Sequence, residues 1–229
     1  VGVHQMIEDQ TGSGAFFLEP GWGGQDYDAE ALYAFQTDGY LYIALFTGHF
    51  PNTKNKSASN TFAAGDFAID FGQDGKYELG INLTPPDDPF KGKTGGLYRN
   101  VTWNYGLWNS EGKYAPGNPD KTHPTSIAGV TSTKDDWLGT VDLSTSVNPV
   151  TGYGANKTDK HYFYEIGISL DLLRQAGWND EAFNIHWTQN CANDSIMVDP
   201  PAASASPVPE PGTLALLPLG LVSLAALRR

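Results

Sequence analysis

From Phe16 to Asp199 the chain runs in short apolar or alternating stretches, each broken by Gly, Pro, Asn or Asp. Alternation with period two puts successive side chains on opposite faces of a strand, so this pattern predicts β-structure along most of the length. Glu30–Phe35 (EALYAF), a Thr37-Asp38-Gly39 turn and Tyr40–Thr47 (YLYIALFT) read as one β-hairpin. Phe67–Phe71 (FAIDF) and Lys76–Leu83 (KYELGINL) read as a second, around Gly72-Gln73-Asp74-Gly75. Leu97–Trp108 predicts one or two strands, Trp137–Leu143 another, and His161–Ser169 (HYFYEIGIS) the strongest of all. Ala182–Thr188 and Ser195–Val198 predict the last two. Between them, Gly48–Ala64, Thr84–Gly96, Ser110–Thr125 and Ser144–Asp159 read as loops and turns. One short helix is expected at Leu170–Ala176, with Ser169 as its N-cap and Gly177 just past its end. Roughly ten short strands with long loops predict an all-β fold, an antiparallel two-sheet β-sandwich of jelly-roll type.

The pattern changes at the C-terminal end. Residues 1–199 form the expected domain, and 200–207 form a Pro/Ala/Ser linker without a core-forming side chain. Residues 208–229 form a separate tail: Pro209-Glu210-Pro211, sixteen uncharged residues from Gly212 to Leu227, and Arg228-Arg229. Sixteen apolar positions are short for a bilayer span, but terminal arginines can snorkel, so an apolar helix in contact with a membrane is expected.

Composition narrows the class. Only 17% of residues are charged, with 26 Gly, 15 Pro, 6 Trp, 11 Tyr and 11 Phe, the profile of a secreted β-protein. A formal net charge of −12 argues against nucleic acid as a partner and favours divalent cations. The lone Cys191 cannot form an intrachain disulfide and reads as a small buried apolar residue. Val1 opens the chain without a basic-plus-apolar leader, so the expectation is that a signal peptide has been removed.

No catalytic motif emerges. The five histidines, His4, His49, His123, His161 and His186, lack metal-ligand spacing, and the strand carboxylates Glu78 and Glu165 are the remaining candidates for a glycosidase pair. The expectation is a protein that is not an enzyme. Calcium is the expected cofactor: Asp70 and Asp74 stand four apart among glycines, and Asp26 and Asp28 form a second oxygen-rich corner. Asn193-Asp194 is a third. Both Asp pairs also fit a bland reading, hairpin turns with solvated acids. Among the tryptophans, Trp22 and Trp108 fall outside regular alternation and are the candidate sugar platform. Trp103, Trp137 and Trp187 lie in strand-like runs and are expected in the core.

Two resemblances add to this. Pro209-Glu210-Pro211, the apolar run and Arg228-Arg229 resemble the PEP-CTERM sorting signal of Gram-negative bacteria. That resemblance implies recognition by an exosortase, transient anchoring in the inner membrane, cleavage near the motif and delivery to the cell surface or extracellular matrix. In the domain, the Glu30–Thr47 pattern resembles family 9 carbohydrate-binding modules and DOMON-like sandwiches. It implies ligand binding on an aromatic-lined sandwich surface, with structural calcium. The expected function is therefore a non-catalytic module binding extracellular polysaccharide or matrix. The alternative is a structural matrix or filament subunit that self-associates.

Overall fold

The computed structural model describes residues 3–7, 23–37, 39–53, 62–83, 94–132, 134–153 and 157–200. Trp22, the linker and the whole tail, including Pro209, Glu210, Pro211, Arg228 and Arg229, lie outside them. No helix among the described residues is long and apolar enough to cross a membrane.

Thirteen strands and one helix are present among these residues. The first half holds β1 (His4–Ile7), β2 (Ala29–Gln36), β3 (Tyr40–Thr47), β4 (Phe67–Phe71), β5 (Leu79–Asn82), β6 (Gly96–Arg99) and β7 (Val101–Tyr105). The second holds β8 (Pro124–Val130), β9 (Trp137–Thr140), β10 (Asp142–Thr145), β11 (Tyr162–Ser169), α1 (Leu170–Ala176), β12 (Phe183–Thr188) and β13 (Ser195–Val198). They pair, antiparallel throughout, into a five-stranded sheet in the order β1-β2-β3-β11-β10 and a six-stranded sheet in the order β13-β12-β4-β5-β6-β9.

Alternation decides what lies between them. On β3, Leu41, Ile43 and Leu45 are buried, while Tyr40 and Tyr42 on the opposite face are exposed. Tyr164, Ile166 and Ile168 of β11 face inward beside them. The six-stranded sheet answers with Phe67, Ile69, Leu79, Ile81, Leu97, Phe183, Ile185 and Trp187, all fully buried in the same cluster. Each such side chain contributes about 1.5–3 kcal/mol on leaving water, so this interlayer cluster holds the fold. The all-β, antiparallel two-sheet sandwich is thus the architecture of the chain.

Several boundaries differ from the pattern. β1 and β8 were not foreseen, because His4–Ile7 is short and β8 begins at Pro124 inside an expected loop. Leu97–Trp108 splits into β6 and β7, which belong to different sheets, and Trp137–Leu143 splits into β9 and β10 likewise. Gly48–Ala64 is not simply a surface loop: His49, Ala63 and Ala64 at its described ends are buried. A further layer was also unforeseen, the β7-β8 ribbon, which lies on the outer face of the six-stranded sheet. Gly80 makes room for it, since a Cβ there would stand 2.7 Å from Ile127 and 3.0 Å from Trp103.

The helix forms as its caps dictate. Ser169 Oγ accepts from the Asp171 amide at 3.2 Å, and Gly177 takes φ 115°, which a glycine adopts at little cost. Leu170 and Leu173 turn it into the core.

Candidate functional site: an aromatic groove and an acidic turn

The outer face of the five-stranded sheet carries a concavity. Register builds it in two adjacent rows. Tyr33 pairs with Ala44, Ala44 with Glu165, and Glu165 with Ser144. Beside that row, Phe35 pairs with Tyr42, Tyr42 with Gly167, and Gly167 with Asp142. Four strands abreast span about 14 Å at the usual interstrand spacing. The middle of the surface is low at Ala44, which has almost no side chain, and at Gly167, where the Tyr42 ring lies against the strand 3.5 Å from the place a Cβ would take. Tyr33, Phe35 and Tyr42 wall one side, and Asp142, Ser144 and Glu165 the other, around a groove of about 580 Å3. Small-molecule sites commonly enclose about 300–1,000 Å3, so a ligand of a few rings fits.

The aromatic surface continues past the groove. Tyr40 and Tyr42 stack at 5.8 Å, Phe46 stacks on Tyr153 at 4.3 Å, and Tyr33 meets Phe46 edge-on at 5.9 Å. Tyr42 is 47% exposed, which leaves much of its ring open to a ligand.

The acidic site lies at the β4-β5 turn. Asp70 is buried at the end of its strand, and its carboxylate accepts the amides of Asp74 at 3.1 Å and Gly75 at 2.8 Å. The turn needs its small residues: Gly72 and Gly75 take φ 77° and 83°. Glu78 Oε2 accepts the Phe71 amide at 2.9 Å. Asp70, Asp74 and Glu78 thereby bring one carboxylate oxygen each within 4.8 Å of the others. Such an acidic triad can hold a metal ion, since oxygens on a shared calcium at about 2.3–2.6 Å stand no further apart than about 5 Å. Lys76 occupies the mouth, its ammonium 2.5 Å from Asp74 Oδ2. That hydrogen bond holds the Asp74 carboxyl below its usual range, whereas burial raises Glu78.

The structure separates the other sequence candidates. Asp26 is exposed on a 3-10 turn at Gln25–Tyr27, whereas Asp28 is buried, and neither joins the triad. The Asp28 carbonyl accepts from Gly48 N at 2.9 Å and from Thr47 Oγ1 at 2.6 Å, so this corner ties β2 to the end of β3. Asp194 does similar work, its carboxylate accepting the amides of Ala29 at 2.5 Å and Ser195 at 2.7 Å. Glu78 stands in the turn just before β5 rather than in a strand, and Glu165 lies on β11 of the other sheet, so the two form no pair.

Of the tryptophans, Trp187 is buried in the core as expected. Trp137 is not: it is 39% exposed, because β9 is the edge strand of its sheet. Trp103 is half-buried under the ribbon rather than between the main sheets, its indole donating to the Tyr77 carbonyl at 3.0 Å. Trp108 is half-buried, with Nε1 donating to Asn193 Oδ1 at 3.1 Å and its ring edge-on to Tyr114. The open aromatic surface is built from tyrosines and phenylalanines instead. The signal for it was present, as Tyr33, Phe35, Tyr40 and Tyr42 alternate with Ala34, Leu41 and Ile43, but their strand pairing was not.

Two further groups were hidden by sequence distance. His123 Nδ1 lies 3.2 Å from His186 Nε2, joining the ribbon to β12. Burial, reinforced by the neighbouring His123, pushes His186 down to about 3, and burial lowers His123 as well, so the pair is neutral near pH 7. His161 Nε2 lies 2.6 Å from Glu30 Oε1, with both side chains fully buried. Cys191 is buried as expected, and burial raises its thiol to about 12.

Compared with known proteins, the chain matches no family model, no curated protein and no solved structure. The class is therefore set by the fold and the site: an antiparallel β-sandwich with a ribbon on one outer face and an aromatic groove on the other.

Proposed function

We propose that this is an exported protein of the cell surface or extracellular matrix, whose sandwich is a non-catalytic carbohydrate-binding module. The observation that carries the binding reading is the groove over Ala44 and Gly167, walled by Tyr33, Phe35 and Tyr42. Aromatic faces pack against the apolar faces of sugar rings, and carboxylates and a hydroxyl on the opposite wall accept or donate to sugar hydroxyls. A rigid sheet holds these groups in place, so binding orders little of the protein and costs little entropy. Export rests on the tail sequence, with Pro209-Glu210-Pro211 as the exosortase recognition element and Arg228-Arg229 as the inner-membrane stop. Calcium is the metal we assign to Asp70, Asp74 and Glu78, where it would brace the β4-β5 turn.

Polysaccharide pull-down and calorimetry on the full chain test the binding reading. Retention on at least one glycan, reduced about tenfold or more by Tyr42→Ala, is expected; a tenfold loss is about 1.4 kcal/mol. Wild-type protein that ignores a broad glycan panel would refute it.

The alternative, a matrix or filament subunit, draws on one feature. β1 is an edge strand, and Val3, Met6 and Ile7 on or beside it are exposed by 58%, 48% and 40%. An open apolar edge is a template for pairing with a second copy. Concentration-dependent assembly, abolished by Met6→Lys, would favour that reading.

A further inference from the structure

We propose that the groove on the five-stranded sheet selects positively charged sugars, namely glucosamine-type residues with a free amino group. The inference rests on the carbohydrate-binding reading and adds the chemistry of the ligand to it.

The charge of the groove is one-sided. Asp142 and Glu165 are exposed, and among the described residues that line the groove none is Lys, Arg or His. Register puts Asp142 opposite Gly167 and Glu165 opposite Ser144, so the two carboxylates are diagonal neighbours across the β10-β11 pair. Diagonal positions on one face lie about 7–8 Å apart, near enough for both to act on one sugar residue and its neighbour. Neither carboxylate forms an ion pair among the described residues. Asp74, Glu111, Asp136, Asp171 and Asp180, by contrast, all do.

Three ligand classes meet this surface differently. An acidic polysaccharide brings its carboxylates toward Asp142 and Glu165 and toward a chain of net charge −12, which repels it. A neutral glycan can stack on Tyr42 and Phe35 but leaves both carboxylates with only neutral donors. An amino sugar does both: its ring lies on the tyrosine wall, and its ammonium donates to a carboxylate across the groove. Charge-assisted hydrogen bonds are about twice as strong as neutral ones, so the amino sugar gains most. An ammonium near the exposed ring of Tyr42 gains again from the ring's negative face. A lysine-rich peptide shares the charge but not the flat ring that would pack on the Tyr42 ring and the low surface at Ala44.

The test uses the full chain and hexasaccharides of glucosamine, N-acetylglucosamine and glucose, at about pH 6, where ordinary carboxylates are ionised. Calorimetry is expected to show the glucosamine hexamer binding at least about tenfold more tightly than the other two. Raising the salt should erode that preference. Asp142→Asn with Glu165→Gln should remove it, bringing the three hexamers to within about twofold of one another. Both residues are on the surface, and an unchanged melting profile confirms that the fold survives the exchange. Equal binding of all three sugars, or a preference that survives the double exchange, overturns the charge proposal and leaves the carbohydrate-binding reading standing. Binding of an oligolysine peptide with no binding of any sugar overturns both.

Discussion

The Asp66 carboxylate accepts the amide of Ile127 at 2.8 Å, and its other oxygen accepts that of Leu83 at 2.7 Å. Asp66 is buried, so one side chain ties the β7-β8 ribbon to the six-stranded sheet just before β4 begins. Replacing it with Ala strands two buried amides, each costing about 1–3 kcal/mol. Asp66→Ala should therefore lower stability by about 2–6 kcal/mol in urea unfolding. A loss below about 1 kcal/mol would show that the ribbon is held by its apolar contacts instead.

Calcium should act through the β4-β5 turn alone. Ligand binding to the native state raises the melting temperature, so added Ca2+ should raise it and EDTA should reverse the rise. Asp74→Asn should abolish the response while leaving the calcium-free melting point nearly unchanged, since Asp74 is exposed. An unchanged melting temperature in wild type with Ca2+ and with EDTA rules the site out.

Tyr164 offers a prediction of opposite sign. Its hydroxyl is fully buried and has no hydrogen-bond partner among the described residues, and burial pushes its pKa upward. Removing a buried, unpaired hydroxyl removes a desolvation cost, so Tyr164→Phe should be neutral or stabilising by up to about 2 kcal/mol. Clear destabilisation on chemical denaturation would mean that the hydroxyl is satisfied in solution.

Acid should weaken the ribbon's attachment. His186 titrates near 3 when folded but near the ordinary 6.5 when unfolded. Between those values the unfolded chain binds more protons than the native one. Stability that is fully present above about pH 6.5 is thus lost as pH falls toward 3. His49, His123 and His161 are lowered by burial too, so the trends add. Urea midpoints measured from about pH 7 down to about pH 4 should fall, and His186→Asn should reduce the slope by about one proton. Identical slopes in the two proteins would show that His186 is not buried as the structure places it.

Much of the fold was legible in the residues themselves. Tyr40–Thr47 alternates so strictly that its inward face could be read directly, and Ser169 and Gly177 bracketed α1 correctly. These are local signals: alternation, caps and turn glycines act between neighbours in the chain. Asp70 and Asp74 were legible for the same reason, lying in one turn, whereas Glu78 joined them only when the hairpin closed. Trp137 was misjudged because nothing in WLGT states that β9 is an edge.

The groove shows where local reading stops. Tyr33, Tyr42, Asp142 and Glu165 span more than half the chain, and no spacing rule connects them. Strand order and register put them on one face, and those are fixed by which apolar faces pack together in the core. By itself the sequence determined a β-rich, acidic chain, because composition and periodicity are properties of short stretches. Tertiary structure alone decided that the open aromatic surface belongs to the five-stranded sheet. The ribbon covers the corresponding face of the other sheet, where Gly80 gives it room.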